Sequence, residues 1–366
     1  MQRQRPPFRG DHVGSLLRPP RLKDARVRRA AGKMSAAELH AIEDDEIRKV
    51  IARQESIGLR AVTDGEYRRA YWHFDFLAGL DGVAMVEAEG IKFAGVTSKA
   101  EAPYVRGKLG STRHPQIAHF EFLKRSTARL PKMTIPSPSM LHYRGGRKMI
   151  DPAVYPTMEE FYSDLGKTYR EVISGFYAAG CRYLQLDDCS FAYLCDSVQR
   201  QMLKDRGDDP ERQGDIYAGM INAALEGRPD DLVVTMHACR GNFRSTFIAS
   251  GGYEPIADLL FNKVDVDAYF LEWDSERAGG FEPLRFLPKR KSVVLGLITS
   301  KTGAIENKDA VKRRIDEAAR FAPLGQLCVS PQCGFASTEE GNVLAEDDQW
   351  AKLQLVVELA DEVWGG

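Results

Sequence analysis

Asp11-His12-Val13-Gly14-Ser15 runs directly into Leu16-Leu17-Arg18-Pro19-Pro20. A first strand opening a doubly wound, dinucleotide-binding sheet would instead meet a Gly-x-x-Gly turn that brings backbone amides against a phosphate. That turn is absent. Seven further segments rich in Val, Ile, Leu and Thr follow: Ala61–Glu66, Lys132–Ser137, Arg182–Asp188, Leu232–Cys239, Ala268–Asp274, Ser292–Ile298 and Gln326–Cys333. Each stops at polar residues, and near-continuous apolar runs of this length read as strands buried on both faces.

Helical periodicity fills most of the intervals. Ser35-Ala36-Ala37-Glu38 is a capping box, after which Leu39, Ile42, Ile47, Val50, Ile51 and Ile57 make an apolar stripe that Gly58 ends. A second helix starts at Thr157 and ends at Gly180, with Asn307–Phe321 and Asp347–Trp364 resembling it. Parallel neighbours need a crossover, usually a helix, so eight strands alternating with helices imply a parallel sheet. The expected fold is α/β, a closed (β/α)8 TIM barrel in a single domain spanning 1–366. Residues 77–131 exceed an ordinary connection and contain the β-prone piece Gly90–Val96. They read as a hairpin subdomain inserted after the second strand. The aromatic run Tyr71-Trp72-His73-Phe74-Asp75-Phe76 reads either as packing for it or as lining of a substrate pocket.

The 366 residues carry 51 Lys and Arg against 52 Asp and Glu, a formal net charge of −1. No global field draws such a chain to nucleic acid or anionic lipid, so the expected partners are small molecules. The start, MQRQRPPFRG, is basic without a following apolar run, and no stretch approaches roughly 18 uninterrupted apolar residues. The expectation is a soluble, cytoplasmic monomer or homodimer. Six cysteines (181, 189, 195, 239, 328, 333) with no Cys-x-x-Cys pair are too sparse for a disulfide framework. Any that carry chemistry should act as thiolates.

In a barrel of this type the active site lies at the carboxyl ends of the strands. His237-Ala238-Cys239 places an imidazole and a sulfur two residues apart, on one side of an extended strand. Glu272 and Cys333 end later strands, and a His/Cys/Cys/Glu set suits tetrahedral Zn²⁺ at roughly 2.0–2.3 Å per bond. The structural alternative is a buried strand with a hydrogen-bonded histidine and an inert thiol. Cys328 lies mid-strand and reads as core, while Cys181, Cys189 and Cys195 read as structural. Glu66 and Asp187 end otherwise apolar strands, where a charge needs a cationic partner. That partner is either a substrate ammonium group or an arginine such as Arg68 or Arg240. No Gly-x-Ser-x-Gly elbow or Walker loop is present.

Six motifs in order resemble the catalytic barrel of cobalamin-independent methionine synthase and, more closely, its short single-barrel relatives. They are His12-Val13-Gly14-Ser15, Asp64-Gly65-Glu66, Gln185-Leu186-Asp187-Asp188, His237-Ala238-Cys239-Arg240-Gly241-Asn242, Leu271-Glu272 and Ser330-Pro331-Gln332-Cys333-Gly334. The resemblance covers nearly the whole chain. It implies a zinc-dependent S-methyltransferase in which homocysteine binds as a thiolate and accepts a methyl group carried on folate. The zinc ligands would be His237, Cys239, Glu272 and Cys333. Ser15, Glu66 and Asp187 would hold the amino acid, the two carboxylates acting on its ammonium group as the catalytic pair, with Asp188 also counted among the substrate-binding residues. A free thiol titrates near about 8.5 and is mostly protonated at neutral pH, whereas a zinc-held one is deprotonated.

Two departures stand out. The full-length family carries a second, amino-terminal barrel for polyglutamylated folate, which this length does not accommodate. It also has a histidine after the seventh strand linked to proton delivery, where this chain reads Gly296-Leu297-Ile298-Thr299-Ser300-Lys301. An N-methyl donor needs its leaving nitrogen protonated, so the donor is either methyltetrahydrofolate or something simpler, with His142, Asp188 or Lys301 as substitute acids. Two other readings stay open: a zinc-thiolate alkyltransferase of the epoxide-to-coenzyme-M type, and a non-catalytic zinc-binding barrel.

Overall fold

The computed structural model describes residues 3–98 and 100–365. Met1 and Gln2 of the basic start, Lys99 within the expected insertion, and Gly366 lie outside the described residues.

In chain order the strands are β1 (Ala61–Val62), β2 (Asp81–Glu87), β3 (Lys92–Phe93), β4 (Val96–Thr97), β5 (Glu101–Gly110) and β6 (Leu130–Pro131). They continue with β7 (Met133–Pro136), β8 (Tyr183–Asp188), β9 (Val233–Ala238), β10 (Ala268–Glu272), β11 (Ser292–Ile298) and β12 (Leu327–Pro331). β7 to β12 form one six-stranded parallel sheet in which every strand lies beside its sequence neighbour. That is the arrangement expected when crossover segments keep one hand. The strands are buried along their whole length, which explains why they read as unbroken apolar runs.

Both edges of the sheet continue in parallel. β1 pairs with β6, and at the other edge Asp11 N donates to Val329 O at 3.1 Å while Val329 N donates to Arg9 O at 2.8 Å. Between these flanks Leu16 N reaches Gly65 O at 3.0 Å and Thr63 Oγ1 reaches Gly14 O at 2.6 Å. The segments expected as strands Asp11–Ser15 and Ala61–Glu66 are therefore paired only through Arg9–Asp11 and Ala61–Val62. The reason is local: Gly14, Gly65 and Glu66 take φ of 139°, 67° and 60°, values that end a strand.

The capping box at Ser35 opens the helix Ala36–Ser56 with both reciprocal hydrogen bonds in place, and Thr157 caps Met158–Ala178. Departures fall after β9 and β10, where the connections hold short 3-10 and π turns (Glu254–Ile256, Leu259–Lys263, Glu276–Ala278, Glu282–Phe286) in place of helices. Within 77–131, β2 and β5 pair as an antiparallel ribbon and β3 and β4 make a smaller one. The helix Gln116–Arg125, which the sequence reading did not anticipate, follows them. The ribbon tip is tied across the strand ends by Ala94 N donating to Phe247 O at 3.0 Å, and Phe93 lies against Phe243 with ring centroids 5.2 Å apart. Cys328 is buried with Val13, Phe270 and Val294, as its mid-strand position implies. Among the described residues no helix is long and apolar enough to cross a membrane.

Candidate metal centre and substrate cavity

The carboxyl end of β9 delivers His237, and the residue after that strand delivers Cys239. Cys333 arrives two residues beyond β12. One donor atom from each of the three lies within 4.8 Å of the others, and Cys239 Sγ is 3.5 Å from Cys333 Sγ with both thiols free. His237 Nδ1 sits 3.2 Å from Phe270 O. A carbonyl only accepts, so Nδ1 carries the proton and Nε2 presents its lone pair, the arrangement usual in metal-ligating histidines. Nε2 is buried and has no hydrogen-bond partner among the described residues. An orphaned imidazole nitrogen beside two sulfurs is a donor set that fits Zn²⁺.

Glu272, the fourth residue of the expected ligand set, stands close enough to Cys239 and Cys333 to act on both electrostatically. It is fully buried at the end of β10, where Oε1 accepts from Arg240 N at 2.7 Å and Oε2 lies 3.1 Å from Arg277 Nη2. Burial, and then the neighbouring Cys239 sulfur, pushes its carboxyl up to about 7. Cys189 is the residue that sequence reasoning missed. It follows β8, where only the turn decides its direction, and it lines the cavity beside Cys239. The adjacent thiols of Cys189 and Cys333 hold Cys239 well below the ordinary thiol range.

The cavity beside this cluster is lined by Ser15, Glu66, Asp187, His237, Cys239 and Asn242, among others. The two acidic candidates differ in their surroundings. Glu66 has an arginine partner, neither Arg68 nor Arg240 but Arg69, whose Nη1 is 3.3 Å from Oε2, and it accepts from Thr134 Oγ1 at 2.8 Å. Arg68 pairs with Glu43 and Asp44, and the Arg240 guanidinium bonds Gly251 O and Tyr253. Asp187 has no ion-pair partner among the described residues; it accepts from Gln185 Nε2 at 2.7 Å. Burial, reinforced by the charge of Glu66, raises its carboxyl to about 7. A buried, unpaired carboxyl at a cavity wall is a receptor for a cation.

Ser15 faces the same cavity with Gly334 packed against it, so closely that a Cβ on Gly334 would fall 1.9 Å from Ser15 Oγ. Asp188 lines the cavity too, and its oxygens accept from Ser137, Ser139, Ser190 and Phe191 N at the turn after β8. Of the candidate acids, His142 lies away from the cavity between Tyr217 (3.0 Å) and Tyr162 (3.3 Å), and burial lowers it to about 4. Lys301 Nζ bonds Asn242 Oδ1 at 3.2 Å and Thr246 O at 3.1 Å, which places it over the strand ends.

Fold and site together define a parallel α/β protein with two thiols and an imidazole converging, beside buried carboxyls, at the carboxyl ends of its strands. Residues 10–361 match the family described as cobalamin-independent synthase, catalytic domain, and the chain belongs to that family. It is 51% identical to protein YxjH of Bacillus subtilis (strain 168) over 367 residues, 99% of this chain and 96% of that one. A solved structure from Listeria monocytogenes, whose name proposes a vitamin-B12 independent methionine synthase, shares 41% identity. It covers 100% of both chains with a TM-score of 0.81. The structure of a B12-independent methionine synthase from Shewanella sp. W3-18-1 in complex with selenomethionine shares the fold, at 22% identity, 96% coverage of each chain and a TM-score of 0.73.

Proposed function

We propose that the chain is a zinc-dependent thiol S-methyltransferase that takes homocysteine, or a similar amino-thiol, and gives methionine or the related thioether. The observation that carries this reading is the convergence of His237 Nε2, Cys239 and Cys333 within 4.8 Å beside the unpaired carboxyl of Asp187. Zinc held by those three residues and Glu272 would supply a Lewis acid that keeps the substrate sulfur deprotonated and nucleophilic. The chain's own residues do the rest. Asp187, with Glu66 beside it, binds the ammonium group and fixes the sulfur's distance from the centre. Ser15 and Gly334 close the wall behind the amino-acid backbone. The methyl group passes to sulfur while the donor's leaving atom keeps the bonding pair and takes a proton. Asp188, at the end of β8, and Lys301, whose Nζ bonds Asn242 Oδ1 and Thr246 O, are the candidate acids at the strand ends.

This reading also takes residues 1–366 as one closed (β/α)8 barrel with 77–131 inserted after the second strand, supported by the parallel pairing at both edges of the sheet. Epoxide transfer to a sulfonate thiol would use the same donors but has no need of Asp187. The test is metal content followed by zinc-edge X-ray absorption with and without homocysteine. About one zinc per chain, whose sulfur coordination rises on adding homocysteine, is expected. Absence of zinc, or an unchanged sulfur shell, would overturn the reading.

A further inference from the structure

Two cavities meet at Arg144. The cavity at the metal centre and a larger groove beside it share Phe93, Arg144 and Tyr193 as walls. The first holds about 30 Å³ and the second about 560 Å³. The first is narrow, whereas the groove has room for a ring system. Its far side is the helix Ser197–Asp205, whose Val198 and Met202 are 65% and 57% exposed. Its near side is the ribbon tip around Phe93. Apolar side chains left open beside a cavity mark a binding wall.

Arg144 is half-buried on the partition. Its Nε donates to His73 Nε2 at 3.2 Å. His73 is fully buried, and burial, reinforced by the charge of Arg144, keeps it well below the usual histidine range and neutral. Tyr71, Trp72 and Phe74 surround the imidazole with ring centroids 4.2–5.0 Å away. The aromatic run does more than support the ribbon: it holds one acceptor in place, and that acceptor aims one guanidinium. Among the described residues no carboxylate pairs with Arg144. The groups facing it are Tyr71, Tyr143, Tyr193 and Cys189. A fixed guanidinium without a counterion, open to two cavities, is built to receive a carboxylate or phosphate.

We propose that Arg144, aimed by His73, is the specificity residue for the second substrate: it binds the anionic group of a methyl donor whose ring system lies in the groove. The proposal rests on the methyltransferase reading for the need of a donor. Charge then sorts the two substrates. Asp187 and Glu66 attract the amino-thiol's ammonium group, while Arg144 attracts the donor's anion.

Binding to the zinc-loaded protein, without turnover, tests this by calorimetry with three probes. Tetrahydrofolate carries carboxylates, methylcobalamin carries a phosphodiester, and 6-methyltetrahydropterin carries no anion. At least one anionic probe should bind about tenfold or more tighter than the pterin, the scale of one charge-assisted hydrogen-bonded pair. Arg144→Gln should abolish that preference and Arg144→Lys should restore part of it, with homocysteine affinity and zinc content unchanged in both. His73→Leu should weaken the preference and His73→Gln should keep it, because the amide oxygen accepts the same hydrogen bond. The anionic probe that loses affinity identifies carboxylate or phosphate. Equal affinity for all three probes, or a preference that survives Arg144→Gln, overturns the proposal. If homocysteine fails to reach zinc while the Arg144-dependent preference persists, the function fails and the anion site stands.

Discussion

Cys239→Ala and Cys333→Ala should each strip most of the zinc and the activity while leaving the fold intact. Each removes one small buried side chain from a site at the strand ends, where loss of a sulfur donor outweighs loss of packing. Metal analysis beside a urea titration separates the two effects, and a full metal equivalent in both variants would refute the ligand assignment. Asp187→Asn should raise the homocysteine dissociation constant about tenfold or more and leave zinc in place, since it removes the charge but preserves the shape. An unchanged constant by calorimetry would remove the ammonium role. At this scale His237, Cys239 and Cys333 were legible, because a period of two along a strand and the position of strand ends are both properties of the chain. Glu272 was legible as a strand end but not as the partner of Arg277, and Cys189 was not legible, since the direction of a turn residue depends on what packs around it.

Strand β11 approaches its neighbours closely at Gly296. A Cβ there would meet Gln332 Cα at 2.7 Å and Leu271 O at 2.8 Å, backbone atoms of two different strand segments. Neither is the far end of a flexible side chain, so relief requires a strand to shift. Gly296→Ala should cost about 1–3 kcal/mol and displace Cys333 through Gln332, lowering zinc affinity as well. Equal urea midpoints for variant and wild type would contradict this. On the surface, Ser35→Ala removes the hydroxyl that accepts from Glu38 N at 3.2 Å, and should cost about 1 kcal/mol with no effect on the site. The elements themselves were largely readable from apolar runs and caps. Those that were not are the connections after β9 and β10, where packing of Tyr253, Phe261 and Trp273 in the core replaces helical periodicity.

The whole molecule should lose stability on mild acidification. Burial, ahead of every other influence, lowers His12, His114 and His142 to about 4. Unfolded histidines titrate near about 6.5, so between that value and about 4 the unfolded chain binds more protons than the folded one. The histidine contribution is then full above roughly pH 6.5 and falls as pH drops toward 4, and it outnumbers the opposite contribution of the buried Asp187 and Glu272 carboxyls, raised to about 7. Urea midpoints that stay level from pH 7 to 4.5 would disprove it.

The residue order alone determined the parallel α/β architecture, the absence of a phosphate-binding turn and the presence of sulfur and imidazole at strand ends. Each follows from local periodicity and from what glycine, proline and capping residues permit. Tertiary structure alone decided which groups share space. It left Asp187 unpaired while giving Arg69 to Glu66, turned Glu272 toward Arg277, brought Cys189 beside Cys239, and set Arg144 on His73 between two cavities. Several of those outcomes depend on distances between segments far apart in sequence, such as His237 on β9 and Cys333 beyond β12, 96 residues later, and such distances exist only once the strands have paired.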